Sequence, residues 1–206
     1  MTGTRAYVSP YRERAAARTR DLILGHAARL FAERGYARVT VADIAAAAGV
    51  AAKTVFASVG SKAELLNQIV DMGVEDSGYK RTVAAVLTTR TLADALNLVA
   101  HGTRIGNEGG STVLEAIHKA LPVHADGEAL WLRATAAYRD TLRTIAGHLQ
   151  TIGGLGEGCT ADTAADLLWL WFGPAAWRAL VAESGWSWDQ AEQTLYRTAL
   201  AALAPA

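Results

Sequence analysis

Apolar residues recur at three- and four-residue intervals along almost the whole chain, and no stretch alternates strictly between apolar and polar positions. The first clear stripe runs from Thr19 to Gly35, with Thr19 as a candidate N-cap and Gly35 as a candidate C-cap. The residues expected to pack inward, with His26 as a core residue, are Leu22, Ile23, His26, Ala27, Leu30 and Phe31. The pattern predicts an all-α protein.

Two short helices separated by a glycine are predicted next. Thr40 and Asp43 have the spacing of a capping box at the start of the first helix, and Gly49 is suited to end it. The second helix, Ala51 to Ser58, is expected to bury Val55 and Phe56. Its outward residues are then Ala52, Lys53, Thr54 and Ala57. This pattern is typical of a helix-turn-helix, although ordinary helical corners share it.

Charge is divided unevenly along the chain. The formal net charge of the 206 residues is zero, but residues 1–62 carry +6 and residues 63–206 carry −6. A cationic first segment is expected if only that end of the protein meets a polyanion such as DNA. Residues 1–17 are predicted to form a basic arm, with Arg5, Arg12 and Arg14, that becomes helical near Glu13. This arm either reaches the DNA or is a solvated tail.

The remaining pattern predicts a helical bundle. Ser61 and Glu64 form a second capping box at the start of a helix that reaches about Ser77 and connects the two parts of the chain. Residues 107–110 and 153–158 are predicted loops, and a bend is expected at Gly173-Pro174. Further helices are predicted at 82–88, 91–105, 111–120, 126–152, from Thr160 or Asp162 to about 183, and at 188–203. The predicted domains are residues 1–62 and residues 63–206.

Enzymatic and metal-binding patterns do not emerge from the sequence. The five histidines lie on separate segments, and no glycine-rich phosphate loop or nucleophile elbow is present. The single cysteine, Cys159, excludes an internal disulfide; a packed thiol is expected there, with redox sensing as the alternative. No apolar run approaches the length of a membrane span, and the N-terminal residues are basic and polar, unlike the apolar core of a signal peptide. We expect a cytoplasmic protein that is not an enzyme and has no cofactor, metal or membrane partner.

Residues 19–66 resemble the DNA-binding domain of TetR-type (tetracycline-repressor-like) transcriptional regulators. The resemblance rests on Leu30–Tyr36, Thr40–Val41, Ile44–Ala45, Ala48–Val50, Thr54–Phe56, Ser61–Lys62 and Leu65–Leu66. Ala51 stands where the family often has Ser or Thr, Phe56 where it mostly has Tyr, and Ser58-Val59 replace a common aromatic-or-His and Phe pair. These departures concern individual phosphate contacts rather than the way the domain docks.

The resemblance implies a three-helix, helix-turn-helix domain that places its short second helix in the major groove of DNA. Two such heads in a dimer would read a near-palindromic double-stranded operator. Lys53 and Thr54 are the predicted base contacts, and Phe56 is predicted to meet a sugar or a thymine methyl. Thr40, Ser58 and Lys62 are the predicted phosphate contacts. The full predicted DNA-binding set is Thr40, Ala51, Ala52, Lys53, Thr54, Phe56, Ser58 and Lys62.

The same resemblance implies that the helical bundle binds a small organic effector and forms a homodimer. The two last helices carry more aromatic surface than one core stripe needs, so they are the expected dimer interface, although some tryptophans also fill the core. Candidate effector-binding residues are His101, Arg104, Trp131, Tyr138, Trp169 and Phe172. Effector binding would tilt the helix at 61–77 and change the spacing of the heads, which describes a repressor modulated on its operator.

A second interpretation stays open at this point. The alanines at 51, 52 and 57 and the substitution at Phe56 leave few polar groups on the predicted recognition helix. The chain could then be a small-molecule-binding helical protein with a degenerate helix-turn-helix. An enzyme is the third and weakest interpretation.

Overall fold

The computed structural model describes residues 10–76 and 78–205, without the side chains of Pro10 and residues 74–76. All regular structure in these ranges is helical, as predicted. The helices are α1 (Pro10–Arg34), α2 (Val41–Ala47), α3 (Ala52–Val59), α4 (Lys62–Asp76), α5 (Tyr79–Val86), α6 (Leu92–Gly109), α7 (Ser111–Ala120), α8 (Gly127–Thr151), α9 (Ala161–Phe172), α10 (Pro174–Trp177) and α11 (Trp188–Leu203). A 3₁₀ turn spans Tyr36–Arg38 and a π-helical turn spans Arg178–Glu183.

The chain separates into two compact units. Among the described residues, the first unit contains 10–72 and 115–130, and the second contains 73–76, 78–114 and 131–205. Helix α4 passes from one unit to the other, as expected of a connecting helix. The predicted boundary at residue 62 between a DNA-binding and an effector-binding domain stays a prediction.

The first unit has its core between α1, α2 and α3, which contact one another. Ile23 and Phe31 on α1, Ile44 on α2 and Val55 on α3 are fully buried. The side chain of Gln68 on α4 links α3 and α1 by hydrogen bonds. Its Nε2 donates to the Val59 carbonyl at 2.9 Å, and its Oε1 accepts from Arg20 Nε at 2.9 Å. We call the part of this unit at residues 10–72 the head.

Helix α1 differs from the prediction at its start. It begins at Pro10, close to the predicted onset near Glu13, so Arg12 and Arg14 are helical. Thr19 is not an N-cap, since its hydroxyl donates to the Ala15 carbonyl. The first nine residues of the predicted arm at 1–17, with Arg5, lie outside the described residues. Leu22 was expected in the core but is 48% exposed, because Leu24 and Ala28 extend the buried stripe in another direction.

The second unit buries a core between α5, α6, α9 and α11, with α8 contributing Leu142, Ile145 and Leu149. Phe172 and Trp177 are among its largest fully buried side chains. Trp177 therefore fills the core of one chain, while Trp169, Trp171 and Trp188 are half-buried and pack against that core.

The chain breaks at Gly173, where the Gly-Pro pair predicted a bend. Pro174 opens α10 because its ring lacks an amide proton and fits the first helical position. The interruption leaves the Phe172 carbonyl without a helical donor. This carbonyl instead accepts from Trp177 Nε1 at 3.2 Å and from the Tyr138 hydroxyl.

The predicted loop at 107–110 is wrong, because α6 continues to Gly109. Asn107 is 4% exposed, and its side-chain amide donates to the Thr103 carbonyl one turn earlier, at 2.7 Å. A buried polar residue on the core face is what a sequence pattern based on apolar spacing misses.

Among the described residues, no single helix is both long and apolar enough to cross a bilayer. Only α2 and α3 taken together have the length and apolar composition of such a span, and the chain bends by 101° between them.

Candidate nucleic-acid interface

A reciprocal capping box fixes the start of α2, as predicted. The Thr40 hydroxyl accepts from the Asp43 amide at 3.1 Å, and the Asp43 carboxylate accepts from the Thr40 amide at 2.8 Å. The Thr40 hydroxyl also donates to that carboxylate at 2.6 Å. These hydrogen bonds hold the pKa of the Asp43 carboxyl below its ordinary value of 3.8. The bond from the Thr40 hydroxyl has the larger effect and the bond from the Thr40 amide the smaller. Thr40 is exposed, but its hydroxyl is already engaged in the box.

The turn between α2 and α3 depends on Gly49. Its φ of 66° lies in the left-handed region that side chains disfavour. The Val50 amide then reaches back to the Ala45 carbonyl at 3.0 Å, which closes the end of α2. The two helices meet at 101°, within the range of a helix-turn-helix.

Helix α3 is held to the head by Val55 and Val59, which are 0% and 3% exposed. Burial of Phe56 was wrongly predicted, since it is 55% exposed; Val59 takes the inward position one turn after Val55. The outward face therefore combines a cation and a large aromatic ring. Its exposed residues are Ala51, Ala52, Lys53, Phe56 and Ala57, with Thr54 and Ser58 half-buried beside them.

A second capping box fixes α4 directly after α3. The Ser61 amide donates to the Glu64 carboxylate at 2.7 Å, and the Ser61 hydroxyl accepts from the Glu64 amide at 3.2 Å. The backbone hydrogen bond from Ser61 is the main cause that lowers the pKa of the Glu64 carboxyl. The box uses the amides at both ends of the first turn. An α-helix offers no internal acceptor to the two amides between them, at Lys62 and Ala63, so they are available to an anion.

Lys62 itself is half-buried at this helix start. Its ammonium lies 4.2 Å from the centroid of the Tyr36 ring. Partial burial lowers the pKa of the Lys62 ammonium below its ordinary value of 10.5. The head thus presents Lys53 and Lys62 at the starts of consecutive helices.

The predicted effector residues divide into two groups in the second unit. His101 and Arg104 lie in an ion-pair network between α6 and α11. Arg104 pairs with Asp189 at 2.5 Å and with Glu192 at 3.0 Å, and His101 Nδ1 lies 3.3 Å from the other Glu192 oxygen. The polar groups of both side chains are engaged with residues of α11.

Tyr138, Trp169 and Phe172 do come together. The Tyr138 and Trp169 rings meet edge to face at 5.7 Å, and the Tyr138 hydroxyl donates to the Phe172 carbonyl. Burial raises the pKa of the Tyr138 phenol, which stays a neutral donor. Asn107 joins this cluster by donating to the Tyr138 oxygen at 3.4 Å. Trp131 is half-buried elsewhere on α8, where its carbonyl accepts from Thr135.

An open groove of about 600 Å³ runs along the outer surface of α11. Its lining is small apart from one arginine: Thr194, Arg197, Thr198, Ala201 and Ala202. Within the described ranges, no group of three or more His, Cys, Asp or Glu residues is arranged to hold a metal ion. Cys159 is half-buried, with its thiol 3.8 Å from the Thr160 carbonyl.

The head matches a known family. Residues 23–69 match the family model described as bacterial regulatory proteins, tetR family. No curated protein sequence matched the chain. The matched residues include α2, the turn at Gly49, α3 and the first half of α4, which are the parts whose geometry is described above.

Solved structures share the fold over nearly the whole chain. A putative transcriptional regulator from Saccharomonospora viridis in complex with choline has 22% identity and a TM-score of 0.68, covering 88% of this chain and 95% of its own. The fatty acid degradation regulator FadR from Bacillus halodurans has 14% identity and a TM-score of 0.73, covering 94% and 96%. FadR from Bacillus subtilis in complex with stearoyl-CoA has 17% identity and a TM-score of 0.71, covering 89% and 98%.

The family match lies on the segment that presents α3, and the structural matches extend the same architecture through the helical second unit. The head therefore contains a tetR-family DNA-binding domain at residues 23–69, and the chain as a whole shares the fold of the solved transcriptional regulators.

Proposed function

We propose that this protein is a cytoplasmic, homodimeric repressor that reads a near-palindromic operator and is released from it by a small organic effector. The proposed DNA binding is supported by the way in which α3 packs on the head. Two buried valines fix it against α1 while Lys53 and Phe56 stay exposed on its outer face. A short helix presented in this way fits the major groove, which is about 12 Å wide.

Contacts within this interface follow from the placement of each residue. Lys53 and Thr54, at the start of α3, meet base edges, and Phe56 packs on a sugar or a thymine methyl. Lys62 and the first-turn amides of α4 bind one phosphate, with Ser58 close by in sequence. Ala51 and Ala52 allow close approach of the backbone because they carry only a methyl group. Thr40 contributes through the α2 box rather than through a free hydroxyl.

The effector is proposed to bind near Tyr138, Trp169 and Phe172. Their rings, together with the polar amide of Asn107, combine apolar surface with a hydrogen-bonding group, which suits an amphipathic organic molecule. Proteins of this fold have been solved with choline and with stearoyl-CoA, so the architecture accommodates very different organic ligands. His101 and Arg104 are weaker candidates because Glu192 already engages both.

The dimer interface is proposed to lie on α9 and α11. The outer face of α11 carries Ala201 and Ala202, which permit close approach of a second helix, and Leu170 on α9 is 62% exposed. An exposed leucine on α9 and a face of small residues on the contacting helix α11 support a helix-to-helix interface. Two heads joined through this interface would meet successive major grooves about 34–36 Å apart.

Selection of bound DNA from a random pool tests the proposal directly. We expect enrichment of two inverted half-sites with centres about one helical turn apart. Enrichment of no sequence, with equal weak binding to all DNA, would contradict it and favour the small-molecule-binding alternative with a degenerate head. Enriched direct repeats would instead contradict the twofold arrangement.

A thermal-shift screen of small organic molecules tests the effector site. Compounds that stabilise the protein should release the selected DNA, and Trp169→Ala should abolish both effects while leaving DNA binding intact. Compounds that stabilise the Trp169→Ala variant and release DNA from it as they do with wild type would place the effector site elsewhere.

A further inference from the structure

Lys62 does not project freely from the head. Its ammonium lies over the Tyr36 ring at 4.2 Å from the centroid and also faces Phe31 at 6.0 Å. The shorter distance is within the range in which a cation is attracted by the negative face of an aromatic ring. The lysine is therefore held in one place before any DNA arrives.

Tyr36 is in turn held by rings on both sides. It follows Gly35, whose φ of 85° turns the chain sharply after α1. The Tyr36 ring lies 5.1 Å from the Phe31 ring and 5.4 Å from the His124 ring, both tilted by nearly 60°. Aromatic pairs in such tilted arrangements attract each other beyond the effect of burial alone.

His124 belongs to a segment that is distant in sequence but lies in the same compact unit. Residues 115–130 comprise the end of α7, the following turn and the start of α8. The Asp126 amide donates to His124 Nδ1 at 3.2 Å, which fixes the ring within the turn. On the same segment, Lys119 Nζ donates to the Ala32 carbonyl in the last turn of α1. Two side chains thus fasten this segment to the head beside Tyr36.

We propose that Tyr36 is a positioning residue for the DNA-binding Lys62, and that His124 makes this positioning depend on the segment at residues 115–130. The inference rests on the proposed phosphate contact of Lys62. A lysine already ordered on a ring loses less side-chain freedom on binding, and an ammonium has three N–H groups, so it can still donate to a phosphate. Displacement of His124 from Tyr36 would make the Lys62 side chain less ordered and would lower the affinity of the head for DNA.

Partial burial supports this arrangement. The pKa of the Lys62 ammonium is lowered because water is partly excluded from it. The ammonium has therefore given up part of its hydration before binding, so a phosphate meets a less hydrated cation.

The first experiment is a double-mutant cycle on the selected operator, measured at several salt concentrations. Tyr36→Leu removes the ring face and should weaken binding about threefold per head, whereas Tyr36→Phe retains the ring and should bind like wild type. In the Lys62→Ala background, Tyr36→Leu should have no further effect on affinity or salt slope. A purely structural role for Tyr36 would give the same loss in both backgrounds and would overturn the proposal.

The same cycle applies to His124. His124→Leu should weaken binding in the presence of Lys62 and not in its absence, while His124→Phe should rescue it by restoring an aromatic neighbour. Tyr79→Leu is the matched control, because Tyr79 lies 6.0 Å from the neighbouring Lys80 ammonium in the second unit. This control should leave DNA affinity unchanged.

A measurement without DNA keeps the inference separate from the proposed function. The chain has four lysines, Lys53, Lys62, Lys80 and Lys119. With ¹³Cε-labelled lysine, the Lys62 signal should be shifted upfield by the Tyr36 ring, should keep that shift in Tyr36→Phe, and should move in His124→Leu. An unshifted Lys62 signal would refute the inference even if the protein binds its operator. Failure to select any DNA, with the shift present, would refute the proposed function instead.

Discussion

At the scale of single residues, two carboxylates hold the helix starts on which the interface depends. Asp43 closes the α2 box and Glu64 closes the α4 box, and hydrogen bonds from Thr40 and Ser61 lower the pKa of each. A carboxyl whose folded pKa is depressed contributes stability above its unfolded pKa and loses it as the pH falls through the folded value. The relevant window therefore lies at and below about pH 4.

We expect the head to lose stability in that acidic window. Asp43→Asn and Glu64→Gln should lower the denaturation midpoint at pH 7 and flatten its dependence on pH below about 4.5. Urea unfolding at pH 7 and pH 3, followed by a probe in the head, measures both effects. Glu157→Gln, in an exposed loop, serves as the control. An unaltered acid dependence in both head variants would show that the boxes do not contribute.

Phe56 shows what the sequence pattern could not decide. Apolar spacing alone placed Val55 and Phe56 together on the inner face, whereas the structure buries Val55 and Val59. Successive residues on a helix point about 100° apart, so a short helix of eight residues leaves the inner face uncertain until its partner is known. The resemblance to the family predicts that Phe56 meets the DNA, and an exposed ring is accessible for such a contact.

Phe56→Ala should change stability little and DNA binding substantially. A side chain that is 55% exposed leaves no cavity, so we expect a change within about 0.5 kcal/mol in the free energy of unfolding. Loss of an interface contact should weaken operator binding by about 1 kcal/mol, or about fivefold, per head. Ile105→Ala is the matched control, since Ile105 is also 55% exposed but lies on α6. A large loss of stability would show that Phe56 is buried after all.

At the scale of elements, helix boundaries marked by capping residues or by a Gly-Pro pair were predictable. The boxes at Thr40 and Ser61, the cap at Thr91 and the break at Gly173 all lie where the sequence placed them. The start of α1 at Pro10 lies close to the predicted onset near Glu13, whereas the N-cap at Thr19 and the end of α6 before residue 107 were wrongly predicted. Helix α1 begins with a proline followed by exposed polar residues, and α6 ends through a buried asparagine, so neither end carries the usual apolar signal.

Two glycines flank α3 and differ in what they tolerate. Gly49 has φ 66° and open space where a Cβ would stand, whereas a Cβ on Gly60 (φ 80°, ψ −144°) would collide with the Glu64 carboxylate. Gly49→Ala should therefore cost about 1 kcal/mol of backbone strain. Gly60→Ala should cost about 2–3 kcal/mol, since it adds the loss of the α4 box to a conformation that is nearly restricted to glycine. Thermal unfolding of both variants measures the difference, and equal costs would contradict the role of the collision.

At the scale of the whole molecule, the all-helical class and the position of the DNA-binding head were predictable from sequence. The association of residues 115–130 with the head was not. Lys119 and His124 reach it across about 90 residues of sequence, and neither carries a local signal for such a contact. Long-range contacts made by single polar or aromatic side chains are the features that periodicity cannot reveal.

The proposed dimer is tested on the outer face of α11, where the groove is lined by Thr194, Thr198 and Ala201. Ala201→Arg would place a long charged side chain where a second helix must approach closely, and two copies would meet near the twofold axis. We expect sedimentation at micromolar concentration to show dimers for wild type and monomers for this variant, with unchanged helicity. Operator binding should then fall by at least a hundredfold, because two heads no longer bind as one unit. Gln150→Arg, at an exposed position on α8, should remain dimeric. A dimeric Ala201→Arg protein would place the interface on another surface.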